Sequence, residues 1–242
     1  MKLPIACALC MDNGITFSEL VEMYEFSDSG KYEVTCKNNH TFLVIHQLEK
    51  FQVLFEIGNY AIVDGYYREA VSSYTSSLER FYEFFTKVMC ISRNIEWEKI
   101  QDAWKEVSSQ SERQLGAFIF THLMEIGKKP NILHKKKVEF RNAVIHKGKI
   151  PNKEEAMEYG QAVLDIIRPL LILLREDYNT STDVLTSQNL LEKRGPKIEG
   201  MMIVTTHTTP TLSLHVEDPD FYKRSINKII EDLPQYIKPS PQ

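Results

Sequence analysis

Residues 140–148 read FRNAVIHKG and place Arg141 and His146 five positions apart, with Asn142 beside the arginine. A guanidinium offers a fixed fork of donors that suits a phosphate, and an imidazole takes up and releases a proton near neutral pH. On a regular helix five residues turn through about 500°, so Arg141 and His146 lie about 140° apart, whereas Asn142 and His146 share a face. These residue types indicate a site that binds a phosphodiester and moves the protons its cleavage requires.

The end of this helix decides how Arg141 and His146 can meet. Gly148 and Pro151 follow at once and are typical of a helix stop, so His146 is predicted in the last turn or just after it. Either His146 swings toward Arg141, or the same residues of a second subunit complete the site across a two-fold axis. Both arrangements predict a small two-sided cleft. Taken alone, His146 could also be a helix-terminal histidine that interacts with the helix dipole.

A basic segment surrounds this motif. The whole chain carries a net charge of -4, which argues against a protein that coats nucleic acid over its entire surface. Between residues 128 and 149, however, eight lysines and arginines stand against the single acidic Glu139. Such a segment attracts phosphates, although a solvated helix face would have the same composition. The predicted RNA-binding side chains are Lys135, Lys136, Lys137, Lys147 and Lys149.

A metal site is predicted at the N-terminus from two short ligand pairs. Cys7 and Cys10 form the first pair, and Cys36 and His40 form the second. The flanks 32–35 and 41–45 alternate and are rich in β-branched and aromatic residues, which predicts a hairpin around the second pair. Two knuckles of this kind build a zinc ribbon, and three thiolates with one imidazole make a closed, structural zinc site. Unconnected or redox-active cysteines are the alternative, and His46 is an alternative fourth ligand.

Composition places the chain among soluble globular proteins, with 43% apolar and 26% charged residues in 242. No apolar run approaches the 18 or so residues that span a membrane, and the first residues lack the apolar core of a signal peptide. A cytoplasmic protein with reduced thiols is therefore expected, and there paired cysteines usually bind metal. Cys90 stands alone on an apolar helix face and is predicted to belong to the core.

Helical periodicity begins near residue 47 and continues for about 130 residues. The predicted helices cover 47–63, 66–92, 95–126 as one broken or two shorter helices, 135–146 and 152–177, an order typical of an up-and-down bundle. Asn152 and Glu155 predict a capping box, and Pro169 predicts a kink. Glu79, in the second helix, is predicted either on the surface or half-buried, where it would orient a partner such as His146.

The C-terminal part is predicted to be a small extension. Residues 178–197 are polar and end in Arg194-Gly195-Pro196, which is typical of a linker. Residues 201–206 and 211–216 predict a short β-hairpin, followed by a helix over 221–232. These strands could join the sheet of the ribbon or serve a dimer. The predicted organisation is mainly α, with a zinc ribbon at 1–46, a helical bundle at 47–177 and an α/β extension at 178–242.

The motif Arg141-Asn142-x-x-x-His146, in a helical bundle with a lysine-rich approach, resembles the HEPN family over roughly residues 47–177. Residues 64–70 and 78–81 also look like parts of the paired first helices of that family. The resemblance implies a metal-independent endoribonuclease that acts as a homodimer with the two motifs facing each other. Many members are toxins or act in defence against phage. Arg141, Asn142 and His146 match the family pattern, and Glu79 lies where related proteins carry a polar helical residue.

The resulting hypothesis is RNA cleavage by the 2′-hydroxyl of the substrate, which leaves a 2′,3′-cyclic phosphate and a 5′-hydroxyl. His146 would move the protons, Arg141 would stabilise the charge on the phosphorus, and Asn142 would orient the phosphate or the imidazole. Zinc would be structural, and catalysis would need no cofactor. The alternative is a non-catalytic module that binds RNA, a nucleotide or a protein and acts with a partner enzyme. A toxin whose partner antitoxin masks the motif is a third possibility.

Overall fold

The computed structural model describes residues 2–5, 7–12, 22–196, 200–206 and 210–233. The described chain is mainly helical, which confirms the predicted class. It divides into two compact units. The N-terminal unit comprises the described residues up to 48 together with 186–206, and the helical unit comprises 49–185 and 210–233.

The N-terminal unit contains two small sheets and a short helix, α1 (Ala8–Asp12). β1 (Lys2–Ile5) and β2 (Glu22–Glu25) pair antiparallel, and β3 (Lys31–Thr35) and β4 (Thr41–His46) form the predicted hairpin. β5 (Met202–Thr206) joins the other edge of β4 in parallel register. One core cluster of the N-terminal unit is small and includes two of the cysteines: Ile5, Cys7, Cys10, Tyr32, Val34, Phe42 and Val44. Leu43, Ile45 and Leu48 of this unit are also buried.

The helical unit is built around its longest helix, α3 (Tyr67–Ser92), which packs against α2 (Lys50–Val63), α4 (Trp97–Val107), α5 (Ser111–Ile126), α6 (Lys135–His146) and α7 (Lys153–Asp177). Its apolar residues recur at three and four positions as predicted, and Tyr74, Leu78, Phe81 and Phe85 are all buried. The remaining elements are α8 (Asn179–Arg194, whose second half belongs to the N-terminal unit), the 3-10 turn Phe221–Lys223 and α9 (Ile226–Asp232).

Tyr74 lies at the centre of the helical core between two glycines. A Cβ atom on Gly58 of α2 would come within 2.6 Å of the Tyr74 ring, and a Cβ on Gly160 of α7 within 2.7 Å. The phenolic hydroxyl donates to Oδ1 of Asn59 at 3.0 Å. Three helices therefore approach closely around one aromatic ring whose polar end is satisfied.

The segment after residue 210 is fixed by polar contacts to α2, and the predicted strand over 211–216 is wrong. Asn59 donates through Nδ2 to the hydroxyl of Thr211, and the Thr211 amide donates to Glu56. Gln52 donates to the carbonyl of Leu212. Thr211 and Ser213 are buried with the leucines beside them, so the alternation that predicted a strand does not reflect one exposed and one buried face.

Two further predictions of the C-terminal part need correction. Residues 179–194 form helix α8 and not a linker, with Thr182 and Leu185 buried. The predicted C-terminal hairpin is absent from the described residues, because β5 pairs with β4 of the N-terminal sheet. The alternative that this strand joins the ribbon's sheet is confirmed.

In the part of the chain that the structure describes, no helix combines the length and apolar character needed to cross a membrane.

Candidate functional site

Four predicted metal ligands, Cys7, Cys10, Cys36 and His40, converge in the N-terminal unit. Their ligand atoms all lie within 4.8 Å of one another. Nδ1 of His40 is 3.6 Å from the sulfur of Cys7 and 3.4 Å from that of Cys10, and the sulfurs of Cys10 and Cys36 are 3.8 Å apart. Around a tetrahedral zinc ion, sulfurs are expected about 3.8 Å apart and sulfur and nitrogen about 3.5 Å apart. The cluster could hold a metal ion such as zinc.

A tight turn of the β3–β4 hairpin brings Cys36 and His40 together. The Cys36 amide donates to the carbonyl of His40, and the Asn39 amide donates to the carbonyl of Cys36. Asn39 takes a left-handed backbone conformation with φ of 61°, which asparagine tolerates better than most residues. Asn38 donates to the sulfur of Cys10 at 3.2 Å, a contact that stabilises the thiolate form a metal requires.

His46 is not part of the cluster. It is buried at the end of β4, with its ring edge-to-face against Phe26 and ring centroids 4.9 Å apart. Burial, with a smaller contribution from Lys193, lowers the pKa of His46 from its ordinary value of 6.5 to about 4. The alternative of His46 as the fourth ligand is therefore not supported, because His40 occupies that position.

The lowered pKa of His46 predicts a pH dependence of the N-terminal unit. Because the unfolded state takes up this proton near pH 6.5 and the folded state only near pH 4, stability falls as pH decreases through that interval. The loss should be on the order of 2 kcal/mol. Amide hydrogen exchange of β4 at a series of pH values would measure it, with His46→Phe as comparison. The two proteins differ only at residue 46, so only the wild type should show the additional loss.

In the helical unit, three of the four predicted catalytic residues line one cavity of about 200 Å³. Glu79 reaches it from α3, and Arg141 and Asn142 reach it from α6. Much of the remaining wall is apolar, with residues of α3, α5 and the segment before α6. Sequence reasoning missed the other residues of the wall with polar groups, which no motif marks: Thr75, Tyr82, Ser111, Glu112 and Tyr159.

Arg141 is a half-buried cation with an unused donor. Its Nε atom is buried and has no hydrogen-bond partner among the described residues. Burial raises the pKa of the Glu79 carboxyl, and the positive charges of Arg141 and Arg80 oppose that shift. Glu79 is thus half-buried, as one of the two predictions for it stated. The guanidinium of Arg141 and the carboxyl group of Glu79 face one small cavity. An anion bound there would be a second charged partner for Arg141, in addition to Glu79.

The hydroxyl groups of Thr75 and Tyr159, which both line the cavity, are hydrogen-bonded to each other. Thr75 donates to the carbonyl of Val71 at 2.8 Å and accepts from the hydroxyl of Tyr159, 2.9 Å away. Burial raises the pKa of Tyr159 to about 12, so this phenol stays protonated near neutral pH. Tyr159 also packs against Phe140, the residue before Arg141, with ring centroids 5.8 Å apart. The contact between Phe140 and Tyr159 packs the start of the motif, on α6, against α7.

His146 does not line the cavity. It is the last residue of α6, as predicted, and its side chain is exposed. Gly148 follows in a left-handed conformation with φ of 74°, which ends the helix. Asn142, which lines the cavity, lies one turn before His146 on the same face of α6. One chain therefore presents Arg141 and His146 at separate places.

The predicted RNA-binding lysines differ in whether they form ion pairs with acidic residues. Lys137 pairs with Glu158 at 3.0 Å and Lys149 with Glu155 at 2.5 Å, while Lys135 lies 3.9 Å from Glu139. Exposed Lys136 and Lys147 have no ion pair among the described residues. The acidic residues of α7 thus reduce the positive charge that the sequence segment alone suggests.

The two clusters are chemically distinct and lie in different units. Searches with the chain against models of protein families, curated proteins and solved structures find no match. The cysteine–histidine cluster has the donor set of a structural metal site. The cavity of the helical unit combines the guanidinium of Arg141 with the carboxyl groups of Glu79 and Glu112.

Proposed function

We propose that this chain is a HEPN-type, metal-independent endoribonuclease that leaves 2′,3′-cyclic phosphate and 5′-hydroxyl ends. The observation that carries the proposal is the convergence of Glu79, Arg141 and Asn142 on one cavity, because Glu79 comes from α3 whereas Arg141 and Asn142 come from α6. The proposed setting is toxicity or defence against phage in the cytoplasm.

Each residue of the motif has a proposed role. Arg141, with its unused Nε, binds a non-bridging oxygen of the scissile phosphate and stabilises the charge that develops on it. Asn142 orients the phosphate toward His146, which removes the 2′-hydroxyl proton or protonates the leaving 5′-oxygen. Glu79 neutralises Arg141 in the absence of RNA and positions its guanidinium. Exposed Lys136 and Lys147 add affinity that is independent of sequence.

The proposed metal of the N-terminal cluster is zinc, with a structural role. Three cysteines and a histidine fill a tetrahedral coordination sphere, so they leave no position for a substrate. The cluster also belongs to a different unit from the cavity. A chelator in the assay should therefore leave the cleavage chemistry itself unaffected.

The test is incubation of the full chain with total RNA in EDTA, followed by analysis of the product ends. Wild-type protein should leave cyclic phosphates, and His146→Ala and Arg141→Ala should each reduce cleavage by at least about a hundredfold. His215→Ala and Arg68→Ala, which alter exposed residues outside the cavity, should cleave like the wild type. DNA of the same sequence should resist because it lacks the 2′-hydroxyl.

A binding module is the second candidate, favoured by the position of His146 outside the cavity. A module would bind RNA, a nucleotide or a partner protein at Arg141 without cutting it. Wild-type protein would then bind RNA and produce no new ends, and Arg141→Ala would lose affinity while His146→Ala would not. Equal cleavage by wild type and His146→Ala would reject the assigned role of this histidine.

A further inference from the structure

Helices α7 and α9 form the two walls of an open groove of about 600 Å³ in the helical unit. The α7 wall runs from Lys153 to Gln161, and the α9 wall runs from Ser225 to Glu231. None of the residues that line the groove lines the cavity that contains Arg141. We propose that this groove binds a basic amphipathic helix of a partner protein.

Part of the groove lining is apolar and continuous with the core. Met157 of α7 and Ile230 of α9 are partly buried and pack against the core, and both also line the groove. Ile226, which is buried, contributes to the same lining. A concave surface with apolar side chains in its lining receives the nonpolar side chains of a ligand.

The two walls are connected by hydrogen bonds and packing, so the groove is preformed. The amide of Ile226 donates to Oε1 of Gln161 at 2.7 Å, which joins the start of α9 to α7. Ser225 caps α9 by accepting from the amide of Lys228, and Ile229 of the same helix is buried. A preformed groove binds more tightly, because its own residues lose little conformational freedom on binding.

The exposed edges of the groove are acidic. Glu154 and Glu158 of α7 and Glu231 of α9 are exposed, and Lys153 is the one basic residue among the described lining residues. Glu158 pairs with Lys137 of α6 at 3.0 Å, whereas Glu154 and Glu231 have no ion pair among the described residues. Such edges repel nucleic acid and anionic lipids, and they complement a ligand that carries lysines or arginines beside its apolar side chains.

The shape of the groove indicates a helix as the ligand. Both walls are helix surfaces, and the α7 wall spans eight residues, or about 12 Å along the helix axis. A third helix fits between two helices when its apolar residues recur at three and four positions. The ligand should therefore have two or three helical turns, with aliphatic residues three or four positions apart and basic residues on either side.

The test is selection from a library of random displayed peptides of about 16 residues, long enough for four helical turns, with the full chain as bait. Peptides enriched on the wild type should carry two aliphatic residues three or four positions apart and several lysines or arginines. The double variant Glu154→Lys, Glu231→Lys is the bait for a parallel selection, and it should not enrich these peptides.

Fluorescence anisotropy with one labelled peptide from the selection then measures affinity. The double variant Glu154→Lys, Glu231→Lys should weaken binding at least about tenfold at low ionic strength, because two attractive contacts become repulsive. The matched control Glu98→Lys, Glu106→Lys makes the same change in net charge at exposed residues of α4 and should bind like the wild type. Met157→Gln, which keeps an unbranched side chain but makes its end polar, should weaken binding about tenfold while circular dichroism stays unchanged.

Three outcomes would overturn the proposal. The first is a selection that enriches no basic peptide on the wild type. The second is a basic peptide that binds the double variant and Met157→Gln as tightly as it binds the wild type. The third is labelled RNA whose affinity falls in Met157→Gln, which would assign the groove to nucleic acid instead of a basic helix.

Discussion

Replacing Cys10 by serine should abolish stoichiometric zinc binding and unfold the N-terminal unit. The sulfur of Cys10 contacts Cys36, His40 and Asn38, so its loss removes the most connected ligand. The buried core of this unit is small, and structural zinc contributes on the order of 10 kcal/mol to folding in comparable sites. Without that contribution the β3–β4 hairpin should lose its protection from amide hydrogen exchange.

Two measurements separate this effect from general damage. Zinc per chain, measured by elemental analysis, should fall from one to near zero in Cys10→Ser and stay at one in Cys90→Ser, whose cysteine lies in the helical unit. Both tryptophans, Trp97 and Trp104, also lie in the helical unit, so their fluorescence should be unchanged. A Cys10→Ser protein with a full complement of zinc and a protected β4 would show that the cluster is not a metal site.

A single methyl group on Gly160 should destabilise the helical unit by about 2–3 kcal/mol, and Gly58→Ala should do the same. In each case the new Cβ would lie within 2.7 Å of the Tyr74 ring. The ring cannot move aside, because Gly58 bounds its Cδ1–Cε1 edge, Gly160 bounds its Cδ2–Cε2 edge and Asn59 holds its hydroxyl. Denaturant unfolding followed by tryptophan fluorescence would measure the change.

Gly116→Ala is the matched control for this prediction, since it makes the same change in a helix where nothing lies within 4 Å of the new atom. It should stabilise the helical unit by up to about 1 kcal/mol, because alanine has the higher helix propensity. The comparison should be made at low protein concentration, so that self-association does not contribute. Equal effects at Gly116 and Gly160 would contradict the contact with Tyr74.

Local sequence patterns correctly predicted the elements that depend on interactions between residues close together in the sequence. The spacing of Tyr74, Leu78 and Phe81 defined α3, and all three are buried. Asn152 and Glu155 form the expected reciprocal capping box at the start of α7. The two ligand pairs predicted the cysteine–histidine cluster, because metal coordination restricts both residue type and spacing.

The errors arose where distant contacts override local preference. Residues 179–194 are rich in serine, threonine and asparagine, which favour turns in isolation, yet they form α8. Thr211 and Ser213 alternate with leucines as the polar residues of a half-exposed strand do, but both are buried. Thr211 is hydrogen-bonded to Glu56 of α2, and Ser213 to Tyr222. For the cavity, the sequence marked Arg141 and Asn142 but not Glu112, because no motif connects it to them.

The pairing of β4 with both β3 and β5 has a consequence for synthesis of the protein. The partner on one side, β3, is adjacent in sequence, whereas residues 47–201 separate β4 from β5. At about 5–20 residues per second, a ribosome needs on the order of 10 to 30 s to complete that interval. Throughout it one edge of a strongly apolar strand has no partner, so the nascent chain is open to mispairing until β5 emerges.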